Sequence, residues 1–99
     1  MKFKRTTAIS GTHLIDYVTV SYKTLKTTFG KPEAGDGYKV DAEWGIKFED
    51  GTVATVYNYK TGKNYDRKNG IPKTQITNWH IGGTSDRAAE LVIAAIQNS

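Results

Sequence analysis

The residue types best suited to chemistry lie between Tyr57 and Ser85. Residues 60–73, KTGKNYDRKNGIPK, hold Lys60, Lys63, Arg67, Lys68 and Lys73 against Asp66 alone, and so carry the whole net charge of +4. Cations concentrated in one loop favour an anionic partner more than diffuse basicity does. The plain alternative is a solvated loop kept soluble by its lysines. Tyr57, Tyr59 and Tyr65 fall in or beside the same stretch. Aromatic rings and ammonium groups together are the parts of nucleotide and nucleic-acid sites. The same surface suits a protein partner, because Tyr and Arg are frequent hot-spot residues.

A second candidate is Gly82-Gly83-Thr84-Ser85, which precedes a predicted helix. Free amides at a helix N-terminus attract phosphate, and glycines let it approach. Thr84 and Ser85 would add hydroxyls, and His80 a polar contact. The simpler reading is a sharp strand-to-helix turn with Ser85 or Asp86 as its cap.

Signals for catalysis are weak. His80, Ser85 and Asp86 include the types of a nucleophilic triad, but no spacing enforces the geometry a triad needs. His13 and His80 are the two histidines, no HExxH or cysteine pair occurs, and with no cysteine thiolate chemistry is excluded. Asp41 and Glu43, two apart on a predicted strand, read as its wet face. A non-enzymatic binder without a cofactor is therefore expected. Its binding residues are expected to be Lys60, Lys63, Tyr65, Arg67 and Lys68, with Tyr59, His80, Gly82, Gly83, Thr84 and Ser85 next.

The element that must position these residues is the hairpin over 39–60. Val40, Ala42, Trp44, Ile46 and Phe48 are apolar at every second position, which predicts a strand with one buried face. Asp50-Gly51 suits a two-residue hairpin turn. That turn would set Phe48 opposite Val53, Ile46 opposite Thr55, Trp44 opposite Tyr57 and Ala42 opposite Tyr59. On the other face Glu43 would meet Asn58, and Asp41 would pair with Lys60.

Residues 2–9 suit a strand anchored by Phe3, and His13 to Val20 a second one rich in β-branched and aromatic residues. Ser21 reads as a helix N-cap, with Tyr22, Leu25 and Phe29 on one face and Gly30 as the terminator. A further strand is predicted over Ile76 to Ile81, broken by Gly82-Gly83. A last helix then runs from Asp86 to about Gln97, with Ala88, Leu91, Val92, Ala95 and Ile96 as its buried stripe.

The order β-β-α-β-β-β-α predicts an α+β fold, an antiparallel sheet of about four to five strands with both helices on its apolar face. That face is expected to carry Val40, Trp44, Ile46, Phe48, Val53, Tyr57, Trp79 and Ile81. Ninety-nine residues, 37% hydrophobic and 24% charged, fit one domain over 1–99 with a modest core. No apolar run is long enough to span a bilayer, and MKFKRTTAIS lacks the apolar segment of a signal peptide. A cytosolic protein is expected.

At FGKP (29–32), KVDAEW (39–44), DGTVATVYNYK (50–60) and NWHIGG (78–83) the chain resembles a group of small accessory proteins found in bacteriophage genomes. The shared pattern spans residues 29–96 and carries no catalytic motif. The resemblance implies a phage protein acting in the cytoplasm of its bacterial host. By analogy with other accessory phage proteins of this size, it implies an antagonist of host defence. One form would be an inhibitor that binds a defence effector or its nucleic acid, as anti-CRISPR proteins do. Another would be a sponge that sequesters a phosphate-bearing nucleotide signal, on one chain or at the interface of a homo-oligomer. A third reading is a small nucleic-acid-binding protein. All three have an anionic partner and no membrane.

Overall fold

The structure is a computed structural model and describes residues 2–98. Five strands form one antiparallel sheet: β1 (Phe3–Arg5), β2 (His13–Thr19), β3 (Glu43–Phe48), β4 (Val53–Tyr57) and β5 (Asn78–Gly83). Their spatial order is β1-β3-β4-β5-β2. Helices α1 (Tyr22–Phe29) and α2 (Arg87–Gln97) complete the expected α+β order. Both pack on one face of the sheet.

Local chemistry explains α1. The Ser21 hydroxyl accepts from the Thr24 amide at 3.1 Å, capping the free amides of the first turn. Gly30, at φ +90°, ends the helix with its amide on the Lys26 carbonyl. The intrinsic helix propensity of a threonine-rich octamer is poor. Tertiary packing holds it: Leu25 and Phe29 are buried, and Phe29 meets the Phe3 ring edge-on at 5.2 Å.

The core lies between helices and sheet. Trp44 and Trp79 are both fully buried and meet edge-to-face with centroids 5.4 Å apart. Each indole N–H is satisfied. Trp44 donates to the Gly30 carbonyl at 2.7 Å, and Trp79 to the carbonyls of Val20 and Ile76. The two tryptophans are core residues, as their alternation implied.

The central hairpin departs from the expected register by one residue. Trp44 lies opposite Val56, Ile46 opposite Ala54, and Glu43 opposite Tyr57. The cause is the turn. Phe48 donates its amide to Thr52, and Gly51 at φ +92° donates back to Phe48. Glu49, Asp50 and Gly51 thus form a three-residue loop with glycine in the left-handed position, not the expected two-residue turn. One residue of slip turns every side chain of the partner strand over. Ala54 and Val56 therefore fill the core, while Val53 and Tyr57 lie on the opposite face. The expected Asp41–Lys60 and Glu43–Asn58 pairs do not form.

Strand β5 also runs further than expected. Gly82 and Gly83 do not break it. They pair with Thr55 and Ala54 of β4 on one side and with Leu14 and His13 of β2 on the other. A side chain at Gly83 would place its Cβ 2.3 Å from that of Ala88. The absent side chain lets α2 sit directly on the strand end. Ile76 is buried, but it lies outside the strand, after a single 3₁₀ turn over Lys73–Gln75.

Candidate binding face

The side of the sheet away from the helices is built by the same alternation that builds the core. Trp79 and Ile81 point inward, so His80 points outward. The register then aligns Glu43 of β3, Tyr57 of β4, His80 of β5 and Tyr17 of β2 in one row across four strands. Tyr17 meets His80 with ring centroids 4.8 Å apart, Tyr57 meets it at 5.3 Å, and Tyr59 at 5.9 Å. His80 is the hub of an aromatic cluster. At Gly45 this face is roofed by the N-terminal segment, since a Cβ there would lie 2.2 Å from the Thr6 carbonyl and 3.0 Å from Ile9.

The basic loop continues the cluster. Lys60 holds a left-handed backbone, φ +59°, fixed by its amide donating to Lys39 at 2.7 Å. Its ammonium lies 5.3 Å from the centre of the Tyr59 ring and 5.7 Å from that of Tyr65, a cation–π arrangement with both. Tyr65 in turn meets Tyr38 at 5.4 Å. Tyr38 is set by the Asp36 carboxylate, which accepts from the amides of Tyr38 and Val40. Those backbone donors hold the Asp36 carboxyl below its ordinary value. The result is a continuous strip: Tyr17, His80 with Tyr57, Tyr59, Lys60, Tyr65 and Tyr38. Tyr17 and Tyr38 are more than half exposed, and Tyr59 and Tyr65 about two-fifths.

The loop is anchored to the hairpin. Asn58 is completely buried, and its carbonyl oxygen accepts from the amides of Asp41 and Ala42 at 2.8 and 3.1 Å. Its amide nitrogen donates to Asp41, whose second carboxylate oxygen accepts from the Asn64 amide. Asp66 accepts from the amides of Lys68 and Asn69, which lowers its pKa. Lys63 reaches the Arg67 carbonyl at 3.4 Å. The acidic residues of this region are thus occupied with backbone amides, while Lys60, Lys63, Arg67 and Lys68 are exposed.

Burial sets the electrostatics of the row. Desolvation pushes the His80 pKa below its ordinary value and so disfavours the charged ring. Desolvation also raises Glu43, with Asp36 and Glu33 adding repulsion, and raises Tyr57, with Glu43 adding to it. Positive charge on the strip comes from the loop and not from the histidine.

The structure brings together Lys60, Tyr59, Tyr65 and His80, and places Lys63, Arg67 and Lys68 on the same loop. Gly82 and Gly83 do not form the expected phosphate-binding turn. They are buried strand residues, and their amides and carbonyls belong to the sheet. Thr84 and Ser85 stand exposed between that strand and α2, as does Asp86, which precedes the helix without a side-chain cap. Among the described residues, no hydrogen bond joins His80 to Ser85 or Asp86, so the triad types are not assembled. Tyr17 and Tyr38 are strip residues the sequence reading did not select. Tyr17 comes from β2, which does not alternate cleanly and whose register shifts between Leu14 and Asp16, so no periodicity marked its face. Tyr38 is brought in by the glycine-rich loop, which has no periodicity to read.

A hollow opens on this face at the Glu43 end of the row, between Thr6, Thr7, Ile9, Glu33, Glu43 and Gly45, and other marked hollows lie elsewhere. One is beside β1 and the hairpin tip, and another lies between Phe3, Phe48 and the two helices. Among the described residues there is no group of histidine, cysteine and acidic side chains able to hold a metal. Likewise, no helix is long and apolar enough to cross a membrane. No protein-family model matches the chain, and no curated protein matches it significantly.

Proposed function

We propose that this protein is a non-enzymatic binder that uses the helix-free sheet face and the adjoining basic loop to engage an anionic partner. The carrying observation is convergence. Exposed tyrosines, a histidine hub and the loop that carries the entire net charge form one continuous surface. A rigid sheet supplies order to the rings in advance, which lowers the entropy cost of binding. The sequence resemblance to small phage accessory proteins supports placing the partner in a bacterial immune system, as an effector or its nucleic acid in the manner of an anti-CRISPR inhibitor. The sponge reading for a nucleotide signal loses its best support with the Gly82–Gly83 turn.

The test is phage plating on bacteria that carry a defined CRISPR–Cas system, with and without the protein. Wild type is expected to restore plaques. K63Q/R67Q/K68Q is expected to lose that effect at equal abundance, with thermal stability within about 0.5 kcal/mol of wild type, because exposed charges contribute little. A folded triple variant that protects phage fully would remove the basic loop from this reading.

A further inference from the structure

Tyr17, Tyr57, His80 and Tyr59 lie on three adjacent strands or just beyond them, and the charge is positive at their loop end, with Glu43 at the β3 end of the row. None of the ring pairs is stacked in parallel. The interplanar angles are 71° for Tyr17–His80, 45° for Tyr57–His80, 42° for Tyr59–His80 and 44° for Tyr38–Tyr65. Tilted and edge-on pairs do not cover one another face to face, so where such a ring is also exposed, face area is left for a third partner. A cluster designed only for packing would bury those faces, and Tyr17 is 53% and Tyr38 54% exposed.

The ligand that matches repeated flat faces along a cationic track is a chain of flat rings joined by phosphates. We infer that the strip from Tyr17 to Tyr38 binds single-stranded nucleic acid. Unpaired bases lie on Tyr17, His80, Tyr59 and Tyr65, and Lys60, Lys63, Arg67 and Lys68 hold the phosphates. This deepens the binding reading above and rests on it. The chemistry excludes the alternatives in turn. A duplex hides its base faces and offers nothing to stack. An apolar peptide segment needs an apolar groove, and the hollow on this face, at the Glu43 end of the row, is lined by the polar Thr6, Thr7, Glu33 and Glu43 beside Ile9 and Ala34. An acidic peptide would use the lysines but not the open ring faces.

The arrangement also accounts for Lys60. Its ammonium lies over two rings, so it marks the point where the aromatic row meets the cationic loop. A phosphate that follows a base stacked on Tyr59 would find this ammonium first. Base–aromatic stacking tolerates any base, so binding is expected to be indifferent to sequence.

The experiment is fluorescence anisotropy with labelled oligo-dT and oligo-U of ~12 nucleotides, with the matching duplex as competitor. The single strands are expected to bind and the duplex to compete poorly. Tyr59→Ala and Tyr17→Ala should each weaken binding roughly ten-fold, while Tyr59→Phe, which keeps the ring, should bind as wild type. K63Q/R67Q/K68Q should reduce the slope of log affinity against log salt by about 2, since each phosphate neutralised on a single strand contributes roughly 0.7. Circular dichroism melts of the same variants confirm that they are folded. Absence of binding at low salt, equal binding of the duplex, or a full effect of the lysines with none from the rings would each overturn the inference. Its failure is separable from failure of the broader reading. If oligonucleotides do not bind but the lysine variant still loses phage protection, the anionic partner is a protein and only the ligand assignment falls.

Discussion

The two faces of this sheet use the same kind of residue to opposite ends. On the helix side Trp44 and Trp79 are fully buried, perpendicular to one another, and each indole N–H has a carbonyl partner. On the other side Tyr17, Tyr57, Tyr59 and His80 gather in a similar cluster, yet the rings remain partly or largely exposed. Adjacent positions of one strand, Trp79 and His80, belong to the two different clusters. Aromatic content therefore says little about role. What separates the faces is that one has helices to cover it and the other has a cationic loop at its rim.

The comparison breaks most sharply under ring deletion. Trp44→Ala should cost about 3–5 kcal/mol, as large-to-small changes of buried aromatics do, and also strand the Gly30 carbonyl. Tyr59→Ala should cost less, about 1–2 kcal/mol, for the lost ring contact with His80 and the cation–π contact of Lys60. Urea denaturation of both variants measures the contrast. Similar losses for the two would mean that the strip is a second structural cluster, and its role as a binding face would lose its basis.

A smaller effect is expected where the two regions are joined. Asn58 is a buried polar residue whose carbonyl takes the amides of Asp41 and Ala42, and whose amide nitrogen holds Asp41. Asn58→Ala leaves those donors unpaired, at a cost of about 1–3 kcal/mol. It should also release the loop. Hydrogen exchange at Asp66, Gly70 and Ile71, whose amides close the loop onto Gly62, Asp66 and Thr61, should accelerate more than exchange in β4. Unchanged protection at those three amides would show that the loop is ordered without Asn58.

How much of this was legible in the sequence follows from what each signal measures. Alternation over Val40 to Phe48 reports burial along one strand, and it located β3 and the buried Trp44. It cannot report how many residues the turn uses. Asp50-Gly51 fits both a two-residue turn and the end of a three-residue loop, and this one ambiguity moved Val53 and Tyr57 to the wrong face. Gly82-Gly83 carried a similar ambiguity. Glycine marks a turn or a close approach equally well, and here Ala88 of α2 is the close neighbour. The basic loop and its tyrosines were legible as composition. Their convergence on His80 was not, because it depends on the pairing of β2 with β5, two strands nearly sixty residues apart in the chain.

The finest distinction between the two faces is protonation. His80 is the only histidine in the strip, and the titratable groups that face it are Tyr17, Tyr57 and Tyr59, with Glu43 at the end of its row. Burial lowers its pKa below 6.5 in the folded protein. The unfolded chain therefore binds the proton at higher pH than the native state does. The associated stability is complete above about pH 6.5 and declines as pH falls through the folded value. Glu43 has the opposite sign: its raised pKa favours the folded state at low pH, and that contribution is lost as pH rises. The two effects overlap, so the wild-type stability profile alone does not resolve them. The difference between wild type and His80→Gln does, because Glu43 is common to both. That difference should change in the wild type's disfavour as pH is lowered from 7 towards 5. An NMR titration of the His80 ring should place its midpoint below the roughly 6.5 of an unperturbed histidine. A midpoint above about 7 would mean that His80 is mostly charged at neutral pH. The strip would then hold its positive charge at the centre of the rings as well as on the loop, and a phosphate rather than a base would be the group to seat there.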